Sequence, residues 1–176
     1  MPAVRGDANL FFMIGVQTLA RVPLVRRAPM QRRLLLAAAA AMTFVPFAVL
    51  AADVPPDLAG AKLVTAAEVE KLAGTGALIV DARVASEYAD SHIKGAISIP
   101  YREKSIKDVG FDAAQDSFNL GKLPPDKHVS IVIYCNGPDC WKSFKASTLA
   151  IRDGYTNIYW YRGGFPDWKA KGLPVE

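Results

Sequence analysis

The chain has 176 residues, 51% hydrophobic and 22% charged, a globular composition with room for one domain and an appendage. Two cysteines exclude a disulfide-built scaffold and a four-cysteine zinc or iron–sulfur site, and no repeat of about 20–50 residues is visible, which excludes solenoids and propellers. The net charge of +4 is uneven: residues 1–51 carry six arginines and one acid, Asp7, whereas residues 52–176 carry 15 basic and 16 acidic side chains, and such a near-neutral body argues against nucleic acid as the main partner.

The basic leader reads as an address. Met30-Gln31-Arg32-Arg33 is a short basic segment, and Leu34 to Leu50 follows without a charge. Val49-Leu50-Ala51 then offers small or short residues to a signal peptidase. Residues 30–51 are therefore expected to be a signal peptide, cleaved after Ala51, and the mature protein to be periplasmic or otherwise exported. An uncleaved membrane anchor is the alternative. Residues 1–29 do not fit the plan and read as a doubtful N-terminal extension with true initiation at Met30, or as an Arg-rich transit peptide. The Arg32-Arg33-Leu34-Leu35-Leu36 run is only loosely like a twin-arginine signal.

Asp53-Val54-Pro55-Pro56-Asp57 cannot continue a helix, and 52–62 is expected as a linker before a domain over 63–176. Thr65-Ala66-Ala67-Glu68 is a capping-box pattern and predicts a helix over about 65–73. Ala77 to Val80 predicts a buried strand with Asp81 at its C-terminal end. Ala85 to Asp90 predicts one or two helical turns, and Ala96 to Ile99 a second strand. The polar stretch 101–128 is broken by Gly110, Gly121 and Pro124-Pro125, with a helix expected within Asp112 to Leu120. Ser130 to Tyr134, β-branched and uncharged, predicts the clearest strand. Ser143 to Asp153 predicts a helix with Ser143 near its N-cap and Gly154 at its C-cap. Ile158 to Tyr161 predicts another core strand, Gly163-Gly164 a turn, and Phe165 to Lys171 a last helix. Strands separated by helices imply parallel pairing, so the fold class is a single α/β domain with a central, mostly parallel sheet flanked by helices.

Cys135 directly follows the clearest strand, and Asn136-Gly137-Pro138-Asp139-Cys140-Trp141-Lys142-Ser143 leads from it into a helix. Ligands of parallel α/β sheets bind at the carboxyl ends of strands, and a helix N-terminus carries a partial positive charge. A thiol there ionises more readily and becomes a better nucleophile. Asn136, Gly137 and Pro138 suit a tight, bowl-shaped turn. The competing reading of Cys135 is a buried core thiol.

Residues 63–176 resemble a rhodanese (sulfurtransferase) domain. Val80-Asp81-Ala82-Arg83, Glu87-Tyr88, His92 to Ile97 and Ile99-Pro100 are similar to the family's first signature. Ile133-Tyr134-Cys135 resembles its strand and nucleophile. Gly154-Tyr155, Tyr161 to Phe165, Trp168, Gly172, Pro174 and Val175 resemble its closing signature. The loop departs from the family pattern, because six residues rather than four separate Cys135 from Lys142-Ser143. Phosphatase chemistry is discounted, since Lys142 does not supply the bidentate arginine it needs. Cys140-Trp141-Lys142-Ser143, with Gly154-Tyr155 and Tyr159-Trp160-Tyr161, is also partly similar to a periplasmic rhodanese-like group with a Cys-x-x-x-Cys-Trp motif, associated with quinoprotein alcohol oxidation.

The resemblance implies a cycle in which Cys135 takes sulfane sulfur from a donor such as thiosulfate and passes it as a persulfide to a thiol or other thiophilic acceptor. Backbone N–H groups of about 136–143 would cradle the persulfide, Lys142 would attract an anionic donor and Ser143 hydrogen-bond it. Cys140 has two readings, a resolving thiol that forms a disulfide with Cys135 and a packed loop thiol beside Trp141. Three function classes follow: a sulfurtransferase, a dithiol redox protein, and a non-catalytic binding module. Asp81 and Arg83 are expected to brace the loop after their strand, pairing with Glu87. His92 is expected to bond backbone, and Trp160, Tyr161, Phe165 and Trp168 to be core or rim aromatics. No cofactor and no metal are expected, as neither His92 nor His128 has ligand spacing. The expected partners are the small sulfur donor and the acceptor, with room for a periplasmic protein; a membrane enters only if the leader stays uncleaved.

Overall fold

The computed structural model describes residues 53–176. The expected leader and its cleavage after Ala51 lie outside them. Five parallel strands form one sheet in the order β1-β5-β4-β2-β3: β1 Ala61–Leu63, β2 Leu78–Asp81, β3 Ile97–Ser98, β4 Ile131–Tyr134 and β5 Ile158–Tyr161. Four helices connect or flank them: α1 Ala66–Gly74, α2 Ala85–Asp90, α3 Trp141–Arg152 and α4 Gly164–Ala170. The mixed α/β class with a parallel central sheet is as the sequence predicts.

The central strand β4, Ile131-Val132-Ile133-Tyr134, is buried at every position. Alternate side chains point to opposite faces of a strand, so a strand covered on both faces reads as an unbroken apolar run. Ile131, Ile133 and Cys135 share one face with Val80, Ile99 and the α3 residues Ala146 and Ala150. Val132 and Tyr134 share the other with Val69 of α1 and with Phe165 and Trp168 of α4. The pleat thus sets the sulfur of Cys135 on the α3 side of the sheet.

The capping box forms as its pattern predicts: Glu68 N–H donates to Thr65 Oγ1, and Thr65 N–H donates to the Glu68 carboxylate at 2.7 Å. Other expectations are corrected. Part of the stretch read as a linker is built into the domain: Ala61–Leu63 pairs in parallel with Ile158–Trp160, and Val54 is buried against Trp141, Phe144 and Trp160. The helix expected within Asp112 to Leu120 is absent. Single 3-10 turns at Ala113–Gln115 and Leu120–Lys122 replace it, each opened by an Asx side chain, Asp112 or Asn119, accepting from a backbone N–H. Helix α3 begins at Trp141 with Cys140 at its N-cap, so Ser143 lies inside the helix and does not cap it. Its hydroxyl is engaged elsewhere.

The chain passes from β2 to β3 toward one edge of the sheet and from β4 to β5 toward the other edge. This reversal opens a crevice beyond the carboxyl ends of β2 and β4, the usual ligand position in such sheets.

Candidate active site

The segment after β4 lies at that crevice. Cys135 is 1% exposed, Cys140 is partly exposed, and a disulfide joins them with their Cα atoms 6.5 Å apart. Of the loop residues between them, Asn136, Pro138 and Asp139 face solvent and Gly137 is buried. Cys140 N–H donates to the Gly137 carbonyl at 3.2 Å, closing a tight turn directly before α3. Gly137 stands at φ +124°, where a side chain would be strained.

Ser143 Oγ lies 3.0 Å from Cys135 Sγ and 3.0 Å from Trp160 Nε1. An indole N–H only donates, so Ser143 accepts from Trp160. A disulfide sulfur carries no proton, so the Ser143 hydroxyl donates to Cys135. Ser143 and Trp160 are each 1% exposed. The three side chains form one buried line from β5 through α3 to the sulfur.

The turn after β5 closes over the backbone of Cys135. Phe165 N–H donates to the Cys135 carbonyl at 2.9 Å. A Cβ on Gly164 would stand 2.4 Å from that carbonyl oxygen and 2.6 Å from the Gly137 nitrogen, and Gly164 has φ +67°. Both facts require glycine. The closing signature thus touches the loop through its backbone, while Trp160, Tyr161, Phe165 and Trp168 are buried core aromatics.

Asp81 and Arg83 brace the neighbouring strand end. Arg83 Nε and Nη2 reach the Asp81 carboxylate at 2.7–3.1 Å, and Arg83 N–H adds a bond at 2.8 Å. Tyr134 Oη donates to Asp81 Oδ2 at 2.6 Å and accepts from Ile93 N–H at 3.2 Å. Burial, then the Asp81 charge, push the Tyr134 hydroxyl well above its ordinary value. Burial pulls the Arg83 guanidinium down, but the bonds to Asp81 outweigh it and raise it. The expected pairing of Arg83 with Glu87 is corrected: Arg83 pairs with Asp81, and Glu87 accepts from Asn136 Nδ2 at 2.7 Å, tying α2 to the loop. His92 Nδ1 lies 2.9 Å from the Tyr88 carbonyl, the expected backbone contact.

Lys142 is half-buried and lines a cleft of about 380 Å³ with Val84, Pro100, Arg102 and Glu103. Its lining thus brings together two cations, Lys142 and Arg102, and one anion, Glu103. Among the described residues no group of three or more His, Cys, Asp or Glu gathers as for a metal ion.

Sequence reasoning missed a buried polar cluster beneath this cleft. Lys145 of α3 is 0% exposed, with Nζ 2.8 Å from Glu103 Oε1, Ser105 Oγ and the Ile106 carbonyl, and 3.6 Å from Asp116. Asp116 accepts from Tyr101 Oη, Ser105 Oγ and the N–H groups of Lys104 and Ser105 at 2.6–2.7 Å. Burial alone would raise its carboxyl, but the bonds from Ser105, Tyr101 and Lys104 hold it well below the usual carboxylate range. A lysine among the buried positions of α3 was the one available signal; nothing marked Asp116. The Trp160–Ser143 bond had no sequence signal, because it joins β5 to α3.

A parallel α/β sheet with a cysteine at the end of its central strand, in a loop that enters a helix, defines a class of α/β domain with a cysteine sulfur at its carboxyl edge. The chain belongs to the rhodanese-like domain family, whose model matches residues 65–171. It is similar to the HTH-type transcriptional regulator Rv0324 of Mycobacterium tuberculosis, 33% identical over 133 residues that make up 73% of this chain and 50% of that one. It is also similar to the tRNA uridine(34) hydroxylase of Yersinia pestis, 31% identical over 106 residues, 56% of this chain and 26% of the relative. The chain thus spans half or less of these relatives. Among solved structures, the BH2092 protein of Bacillus halodurans superposes with a TM-score of 0.50 at 25% identity, covering 66% of this chain and 77% of that one. Family and relatives support sulfur-transfer or related chemistry in general.

Proposed function

We propose that the chain is a sulfurtransferase that carries sulfane sulfur on Cys135. The Cys135 thiolate attacks the outer sulfur of a donor such as thiosulfate; the S–S bond of the donor breaks, sulfite leaves, and Cys135 holds a persulfide. A thiophilic acceptor such as a thiolate then attacks the terminal sulfur and frees the Cys135 thiolate. The observation that carries this reading is the Ser143 hydroxyl 3.0 Å from Cys135 Sγ at the mouth of α3. A thiolate formed there gains a charge-assisted hydrogen bond and the field of a 12-residue helix. Lys142 and Arg102 would draw the anionic donor toward the loop. The small donor and the acceptor are the partners in this reading. Export of the chain, with cleavage after Ala51, would put the site where thiols are oxidised.

The Cys135–Cys140 disulfide favours a second reading, a dithiol redox protein. One experiment separates the two. The reduced full chain is incubated with thiosulfate and its intact mass compared with those of Cys135→Ser and Cys140→Ser. A gain of one sulfur atom, lost only in Cys135→Ser, supports the sulfurtransferase. Loss of two hydrogens that needs both cysteines, without a sulfur adduct, overturns it in favour of dithiol chemistry. No change in any form overturns thiosulfate as donor and leaves a binding module.

A further inference from the structure

The two sulfurs of the disulfide are not equivalent. Thiol–disulfide exchange runs in line: the attacking thiolate approaches one sulfur along the S–S axis, opposite the sulfur that leaves. Cys135 Sγ sits on the core side of β4 among Val80, Ile99 and Ala146, and the residue is 1% exposed. While the disulfide stands, an external thiol therefore finds Cys135 covered and Cys140 open to approach. Cys140 is partly exposed, at the α3 N-cap, next to the solvent-facing Pro138 and Asp139. The leaving sides differ too. Cys135 Sγ accepts from the Ser143 hydroxyl, which Trp160 Nε1 fixes from the other side. With one lone pair taken by the indole, the single hydroxyl proton is held for the sulfur. A better stabilised thiolate leaves faster.

We propose that this site is reduced by an external thiol that enters at Cys140 and expels Cys135, and that Trp160 is a positioning residue for the departing thiolate through Ser143. The inference rests on the reading of Cys135 as the reacting sulfur. In the first step the external thiolate bonds to Cys140 Sγ, the Cys135–Cys140 bond breaks, and its electron pair goes to Cys135 as thiolate. In the second step another thiolate attacks the external sulfur of the mixed disulfide, an external disulfide leaves, and Cys140 becomes a thiol after taking a proton from water. The protein disulfide gains two electrons and two external thiols lose them. The half-reduced state already holds a free Cys135 thiolate, so sulfur transfer can begin before the second step.

The test treats the oxidised full chain with limiting reduced glutathione. Samples are quenched in acid at short times, free thiols are alkylated, and peptides are mapped by mass. The expected early product has glutathione on Cys140 and the alkyl group on Cys135, in at least tenfold excess over the reverse. Glutathione on Cys135, or an even split, overturns the direction of entry. Trp160→Phe, which removes the N–H and keeps an aromatic body, is expected to slow this first step about threefold, following the leaving-group dependence of exchange. In a Cys140→Ser background the same change is expected to move the pH profile of Cys135 alkylation upward, and Ser143→Ala to match it. An unmoved profile overturns the role of Trp160. Persulfide formation with thiosulfate is scored on the reduced protein from the same preparation. Persulfide on Cys135 with glutathione also on Cys135 sinks the entry direction alone, and glutathione on Cys140 without persulfide sinks the sulfurtransferase alone.

Discussion

The amide of Phe165 donates to the carbonyl of Cys135 at 2.9 Å, so the turn after β5 is hydrogen-bonded to the residue proposed to carry the sulfur. Gly164 makes this approach possible, because it stands where any Cβ would overlap Cys135 and Gly137 backbone atoms. The loop around the sulfur is therefore held from two sides, by α3 and by the start of α4.

Gly164→Ala is expected to push the loop off its position. The overlap is with backbone, which has nowhere to give, and the positive φ adds about 1–2 kcal/mol of strain. A displacement near 1 Å at a reacting centre costs on the order of 100-fold in rate. Rate of sulfur transfer and thermal midpoint, measured together, check this: a lost rate with a midpoint lowered by at least several degrees is the expected pair, and an unchanged rate would refute the contact's role.

Arg83→Ala leaves the Asp81 carboxylate buried without its guanidinium. Removing one partner of a buried ion pair costs about 3–5 kcal/mol. Tyr134→Phe removes one neutral-to-charged hydrogen bond and is expected to cost about 1.5–3 kcal/mol. Urea unfolding of both singles and the double variant tests this, with the double costing less than the sum because the groups share Asp81.

Asp116 links stability to acid. Its carboxyl titrates lower in the folded chain than in the unfolded one, so the folded state holds fewer protons around that range. The stabilisation is full above about pH 4, the unfolded carboxylate value, and is lost as pH falls from there toward the folded value. Asp116→Asn is expected to be less stable at pH 7 and to show a flatter fall in thermal midpoint between about pH 5 and pH 3. Parallel curves for the two proteins would contradict this.

Lys142→Ala is expected to raise the KM for thiosulfate about 3–10-fold at low ionic strength and to change kcat less, because a half-buried charge lining the cleft acts on encounter and binding. The difference should shrink near 1 M salt, where the screening length is about 3 Å. Equal KM values at low salt would place the donor elsewhere than the cleft of Lys142 and Arg102.

Much of the layout was legible in one dimension, for physical reasons. An unbroken β-branched run is what a strand covered on both faces requires, and Ile131 to Tyr134 met that need. Thr65 and Glu68 carry their capping box within four residues, so local chemistry sufficed. Cys135 was legible as the residue between the central strand and the loop into α3, where the structure has it. The expected helix within Asp112 to Leu120 failed because Asp112 and Asn119 bond nearby N–H groups, and Asp116 is pinned by Tyr101 and Ser105 rather than by a helical ladder.

What the sequence by itself determined was most of the elements, β1 and the stretch 112–120 excepted, and the place of Cys135 after β4, because strand patterning, caps and turns act over a few residues. Only the tertiary structure decided the surroundings of Cys135. Trp160 meets Ser143 across 17 positions, Asn136 meets Glu87 across 49, and Tyr134 meets Asp81 across 53. Such contacts follow from the strand order and from which face each pleat presents. They are made when β2, β4 and β5 come to lie side by side, and no local signal announces them.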